Sequence, residues 1–144
     1  MQLLPARMDS DKARVMLLAI GLQESRFEHT HQIGGPAHGY WQFESGGGVK
    51  GVMNHDASKG YARDVCARLG VEWERGAVFD AIERDQVLAC AFARLLLWTD
   101  PRSLPEIGAQ TAAWKTYIWN WRPGKPHQST WPANYQAAQK FIQG

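Results

Sequence analysis

The 144 residues, 44% apolar and 21% charged, are enough for one domain that buries a single core. Seven Trp and 11% aromatics argue against disorder, and a net charge of +2 with scattered basic residues argues against a nucleic-acid partner. The longest apolar stretch, residues 15–22, falls far short of the roughly 20 residues that span a bilayer, so stable membrane insertion is not expected.

Asp9 or Ser10 can cap a first helix predicted over 11–27. Val15, Met16, Leu17, Leu18, Ala19, Ile20 and Leu22 make it apolar almost all the way round, which places it in the middle of the domain. The pattern then breaks at Gly34-Gly35-Pro36, Gly39 and Gly46-Gly47-Gly48, and Tyr40-Trp41-Gln42-Phe43 reads as a short strand of a hairpin. Helical periods return over 49–55, 57–69, 77–82, 85–98, 105–121 and 132–142. The expected fold is mainly α (α+β): a two-lobed helical domain covering 1–144, with a small β-hairpin after the first long helix.

Cys66 and Cys90 sit inside apolar helical patterns without CxxC spacing and read as free core thiols. The charged N-terminus, with Arg7, Asp9, Asp11, Lys12 and Arg14, makes a poor signal peptide. The expected location is the cytoplasm of the producing cell until release.

Glu24 is the most informative residue. It stands at the C-terminal end of the apolar helix, where burial and the negative end of the helix dipole both disfavour its charged form. A raised pKa is what a general acid needs near neutral pH. The competing expectation is a solvated Glu24 beside Arg26 as the helix frays.

The run Gln23-Glu24-Ser25-Arg26-Phe27, followed by Gly39-Tyr40-Trp41-Gln42-Phe43-Glu44, resembles the lysozyme-like superfamily, in particular goose-type lysozymes and soluble lytic transglycosylases. Those enzymes carry a Glu-Ser pair at the end of a buried helix and then a Gly-Leu-Met-Gln strand. Here Tyr40-Trp41 replaces the central Leu-Met. Trp119-Asn120 stands in the Tyr-Asn place of the Ala-Tyr-Asn-Ala-Gly motif that such transglycosylases carry late in the fold, with Tyr117 supplying the hydroxyl of the missing motif Tyr, and the run Asn120-Trp121-Arg122-Pro123-Gly124-Lys125-Pro126 is similar to that of small phage endolysins.

The resemblance implies a lysozyme-like fold and cleavage of the β-1,4 glycosidic bond in peptidoglycan glycan strands, with Glu24 as acid. It also implies that Ser25, Tyr40, Trp41, Gln42, Tyr117 and Asn120 line the substrate cleft. Goose-type lysozymes have an acidic residue two positions after the motif Gln, and Glu44 stands there. A second carboxylate can activate water as an inverting glycosidase requires. Solvating a mobile glycine-rich loop is the equal alternative for Glu44, and Asp56 and Asp64 remain open as second carboxylates. Ser25 is expected to position Glu24, and Gln42 to bond an N-acetyl group or the attacking water. Among Trp41, Trp119, Trp121 and Trp131 as sugar platforms, Trp41 is favoured.

Other chemistries have weaker signals. His29, His31 and His38 share the loop with Glu28, but no H-E-x-x-H or Cys pair accompanies them. A solvated polar loop is expected there, with no metal and no cofactor. No G-x-S-x-G elbow supports a serine nucleophile. The expected protein is a monomeric endolysin-type lysozyme of a phage or prophage. A lytic transglycosylase releasing 1,6-anhydro products and a non-catalytic glycan-binding or structural module are the alternatives.

Overall fold

Ser10 starts the first helix: its Oγ accepts from the Ala13 N–H at 3.1 Å, and Asp11 follows at the positive end of the dipole. The computed structural model describes residues 1–144 and is mainly helical. Its helices are α1 (Asp11–Ser25), α2 (Lys50–Asn54), α3 (Lys59–Arg68), α4 (Arg75–Arg84), α5 (Gln86–Trp98), α6 (Gln110–Trp121) and α7 (Trp131–Gln143).

As its composition requires, most of α1 is buried: Ala13, Val15, Met16, Leu17, Ala19 and Ile20 are all in the core, Leu18 and Leu22 are half-buried, and Arg14 is exposed. Gly21 lets a neighbour come close. A Cβ there would run into the Phe27 ring, which folds back onto the helix. The helix ends where Arg26 turns left-handed at φ 58° and returns its N–H to the Leu22 carbonyl at 3.0 Å.

The second buried helix is α5. Asp85 accepts from the Val87 and Leu88 N–H groups at 3.0 and 3.2 Å, and Ala91, Phe92, Ala93, Leu95, Leu96 and Leu97 then enter the core. Helices α1, α2, α3 and α4 lie against α5, while α7 runs along α1 and supports α6. One apolar cluster connects them all. Cys66 is buried and Cys90 half-buried, and both are free; burial pushes the Cys66 thiol up to about 11. No helix is long and apolar enough to cross a membrane.

Two expectations are corrected. Helix α6 begins at Gln110 rather than 105, because Gly108 adopts φ 95° and its N–H is taken by the Tyr135 hydroxyl at 2.9 Å. The expected β-hairpin is not formed. Residues 38–43 make a tight turn closed by reciprocal backbone bonds between His38 and Phe43, of 2.8 and 2.9 Å, with only isolated bridges at His31–His38 and His38–Phe43. Gly39 at φ 79° and Gln42 at φ 55° are both left-handed, so an extended strand cannot run through 40–43.

Gly39 is also packed tightly: a Cβ there would stand 2.8 Å from Ile82 Cγ2 and 3.1 Å from the Ile82 carbonyl oxygen. Gly39→Ala is therefore expected to cost about 1–3 kcal/mol in urea unfolding, through left-handed strain and the clash together. An unchanged midpoint would contradict this turn geometry.

Candidate active site

The C-terminal end of α1, the 28–44 loop, the end of α6 and the segment 122–127 enclose a cleft of about 630 Å³. Glu24 is in its wall, where the apolar turns of α1 deliver it partly buried. Burial pushes its carboxyl up to about 7; the negative charge of Glu44 adds to this, and a hydrogen bond from Tyr117 opposes it. The Tyr117 hydroxyl donates to Glu24 Oε2 from α6, leaving Oε1 without that bond.

Tyr117 is itself held rigidly. Its ring is buried and stacks on Trp131, with centroids 5.4 Å apart and planes 3° from parallel. Burial and the neighbouring Glu24 carboxylate raise the phenol's pKa, so it stays a donor. Because the bond to Tyr117 favours the ionised carboxylate, Tyr117→Phe is expected to move the Glu24 titration upward from about 7. Carboxyl carbon NMR across pH 4–10 reads this directly; a downward shift would overturn the assigned bond.

Ser25 fastens the end of α1 to the loop. Its Oγ donates to the Tyr40 carbonyl at 2.6 Å and accepts from the Phe27 N–H at 3.1 Å. On the other side, Gln23 Oε1 accepts from Asn134 at 2.8 Å and Thr130 at 3.1 Å, while its Nε2 donates to the His127 carbonyl at 2.9 Å. Glu24 thus lies between two residues that fix the backbone on both sides. Gln23 was visible in the sequence only as the neighbour of Glu24, since its partners lie more than 100 positions away.

Of the residues read from sequence, Glu24, Ser25, Gln42, Glu44 and Tyr117 line this cleft. Tyr40, Trp41 and Asn120 do not. Tyr40 packs against Phe27, with centroids 5.4 Å apart. Trp41 is 6% exposed, and its indole N–H donates to the Leu17 carbonyl at 2.8 Å, so it presents no face to a sugar. Asn120 instead donates to Asp100 at 3.0 Å. Asp100 is held down at about 2, chiefly by its bonds to Arg102. The indole that reaches the cleft is Trp121, anchored by its N–H to the Trp41 carbonyl at 2.9 Å.

Arg122, Lys125, His29 and His127 also line the cleft and were not singled out as cleft residues from sequence. The three loop histidines do not converge: His29 lines the cleft, whereas His31 and His38 turn towards Glu83 of α4. The expectation of a wholly solvated loop fails at His38, which is buried.

The non-glycine residues with left-handed backbone are Arg26, Phe27, Gln42 and Arg122. Gln42 and Arg122 line the cleft, and Arg26 and Phe27 directly follow its Ser25. Arg26 and Arg122 are the left-handed caps that end α1 and α6, whereas Phe27 and Gln42 hold that conformation within loops, at a cost on the order of 1–3 kcal/mol each. No family model, curated protein or solved structure matches the chain.

Proposed function

We propose that this protein is a glycosidase of bacterial peptidoglycan, with Glu24 as its general acid. The observation that carries the proposal is a partly buried carboxyl, pushed up to about 7, in the wall of an open cleft that holds a second carboxylate, Glu44. A carboxyl that holds its proton towards neutral pH, with a second carboxylate in the same cleft, is the equipment for glycosidic bond cleavage. The resemblance of 23–44 to lysozyme-like enzymes supports the substrate class. Arg122 and Lys125 on the lining suit the acidic peptide stems of peptidoglycan better than an uncharged chitin chain. An endolysin-like lysis protein, released from the cytoplasm to reach the wall, is the corresponding biological setting.

In this mechanism Glu24 gives its proton to the leaving glycosidic oxygen as the C–O bond breaks. Glu44 takes a proton from a water that attacks the opposite face of the sugar. The Tyr117 hydroxyl already points at Oε2, so the carboxylate left on Glu24 keeps a donor. Gln42, whose Nε2 is bonded to the Gly39 carbonyl at 3.0 Å, offers its amide oxygen to the sugar or the water.

A second reading uses the same acid. Glu44 is exposed and has no side-chain hydrogen-bond partner, which also fits a lytic transglycosylase in which Glu24 serves as both acid and base. Digestion of purified peptidoglycan, read by mass spectrometry, separates the two. Hydrolysis is expected to give reducing ends that carry one added water, and Glu44→Gln to slow it roughly 10²-fold or more. Anhydro products, little affected by Glu44→Gln, would transfer the assignment to a transglycosylase. No products at all would leave a glycan-binding module.

A further inference from the structure

On the side of the loop that does not line the cleft, three metal-ligating groups come together. His31 and His38 face each other across an isolated antiparallel bridge, with ring centroids 4.9 Å apart. Glu83 reaches them from α4, and one donor atom from each of the three residues lies within 4.8 Å of the other two.

His38 is built into this position. It is 7% exposed, and its ring stacks on Phe79 at 3.7 Å with planes 5° apart. Its Nδ1 lies 3.0 Å from the Phe79 carbonyl oxygen. A carbonyl only accepts, so Nδ1 carries the proton and Nε2 keeps a free lone pair. Metal-binding histidines are held in this way, with the outer N–H given to a backbone carbonyl that fixes tautomer and ring. His31 Nδ1 donates to Glu83 Oε1 at 2.9 Å, a bond that an ion would replace as Nδ1 releases its proton to solvent and both atoms turn to the metal.

We propose that His31, His38 and Glu83 bind a divalent transition-metal ion of the zinc class. Two imidazole nitrogens and one carboxylate form a borderline donor set that suits zinc and not calcium or magnesium, which take oxygen ligands. Bond lengths near 2.0–2.1 Å put tetrahedral donor atoms about 3.3 Å apart. The cluster must therefore contract by roughly 1–2 Å, which the exposed His31 and the long Glu83 side chain can supply by rotamer change. Water takes the fourth position. The ion cross-links the base of the loop to α4, while residues 32–37 project to the cleft, where Gln32, Ile33, Pro36 and Ala37 form part of its wall. Metal occupancy thus fixes the loop whatever reaction the cleft carries out.

The test is titration of chelator-stripped protein with cobalt(II), followed by displacement with zinc. One equivalent of cobalt is expected to give the visible d–d absorption of a four-coordinate nitrogen–oxygen site, and zinc to abolish it. His31→Ala and Glu83→Gln are expected to weaken zinc binding roughly tenfold or more, with circular dichroism unchanged. His55→Ala, an exposed histidine elsewhere, is expected to leave it as in wild type. His38→Ala removes a buried stacked ring and can unfold the loop, so the two peripheral variants decide the matter. Absence of saturable one-equivalent binding, or wild-type affinity in both peripheral variants, would overturn the proposal. None of these readouts depends on glycan cleavage.

Discussion

Glu24→Gln is expected to reduce peptidoglycan cleavage about 10²–10⁴-fold, the usual worth of a positioned general acid. The same substitution is expected to stabilise the fold at alkaline pH. In the folded protein the carboxyl titrates at about 7 rather than at its ordinary 4.5, with burial as the main cause. Between those values the folded state keeps a proton that the unfolded chain has released, so stability falls as pH rises through the interval. Above about 7 the penalty is fully present.

Taken at face value the penalty is on the order of 3 kcal/mol, and water at the open side of the cleft reduces it to on the order of 1–3 kcal/mol. Glutamine carries no such charge. Melting temperatures of the two proteins are therefore expected to agree near pH 4 and to separate by pH 8, with Glu24→Gln the higher. In wild type the rate of cleavage should decline above about pH 7 as the acid loses its proton. Equal melting temperatures at pH 8 would show that Glu24 is solvated. Retained cleavage in Glu24→Gln would remove it from the mechanism.

The second large effect is on stability. Trp41→Ala is expected to cost about 3–5 kcal/mol, the range for deleting a large buried aromatic. The indole meets Phe27 edge-on at 5.5 Å, and Phe27 in turn occupies the space left by Gly21 of α1. Removing it opens a cavity under the turn that carries Gln42, and also removes the bond to the Leu17 carbonyl. Urea unfolding gives the loss, and cleavage normalised to folded protein gives the functional consequence. Substrate affinity is expected to depend on Trp121 instead, because Trp121 reaches the cleft and Trp41 does not. An unaltered urea midpoint with weakened glycan binding would make Trp41 the sugar platform after all.

The contrast between these two residues shows how far the sequence reaches. Glu24 is singled out by local information: an apolar helix that carries its last turn towards the core disfavours a charged carboxylate there, although the same residues also allowed a solvated Glu24 at a frayed end. The Ser10 cap and the burial of the apolar turns of α1 are legible for the same reason, since helical period and capping act over a few residues. At 40–43 the alternation of side chains could not reveal a turn, because a left-handed Gln42 carries no mark in its residue type. Once that turn forms, Trp41 is directed inward rather than along a strand.

By itself, then, the sequence determined a helical domain with a candidate acid at the end of its central apolar helix. Only the tertiary structure decided what surrounds it. Tyr117 meets Glu24 across 93 positions of sequence, Trp131 stacks behind Tyr117, and Glu83 of α4 closes on His31 and His38. Contacts of this kind depend on how helices stack against α1 and α5. That stacking is set by the complementarity of whole helix faces, which no short pattern encodes.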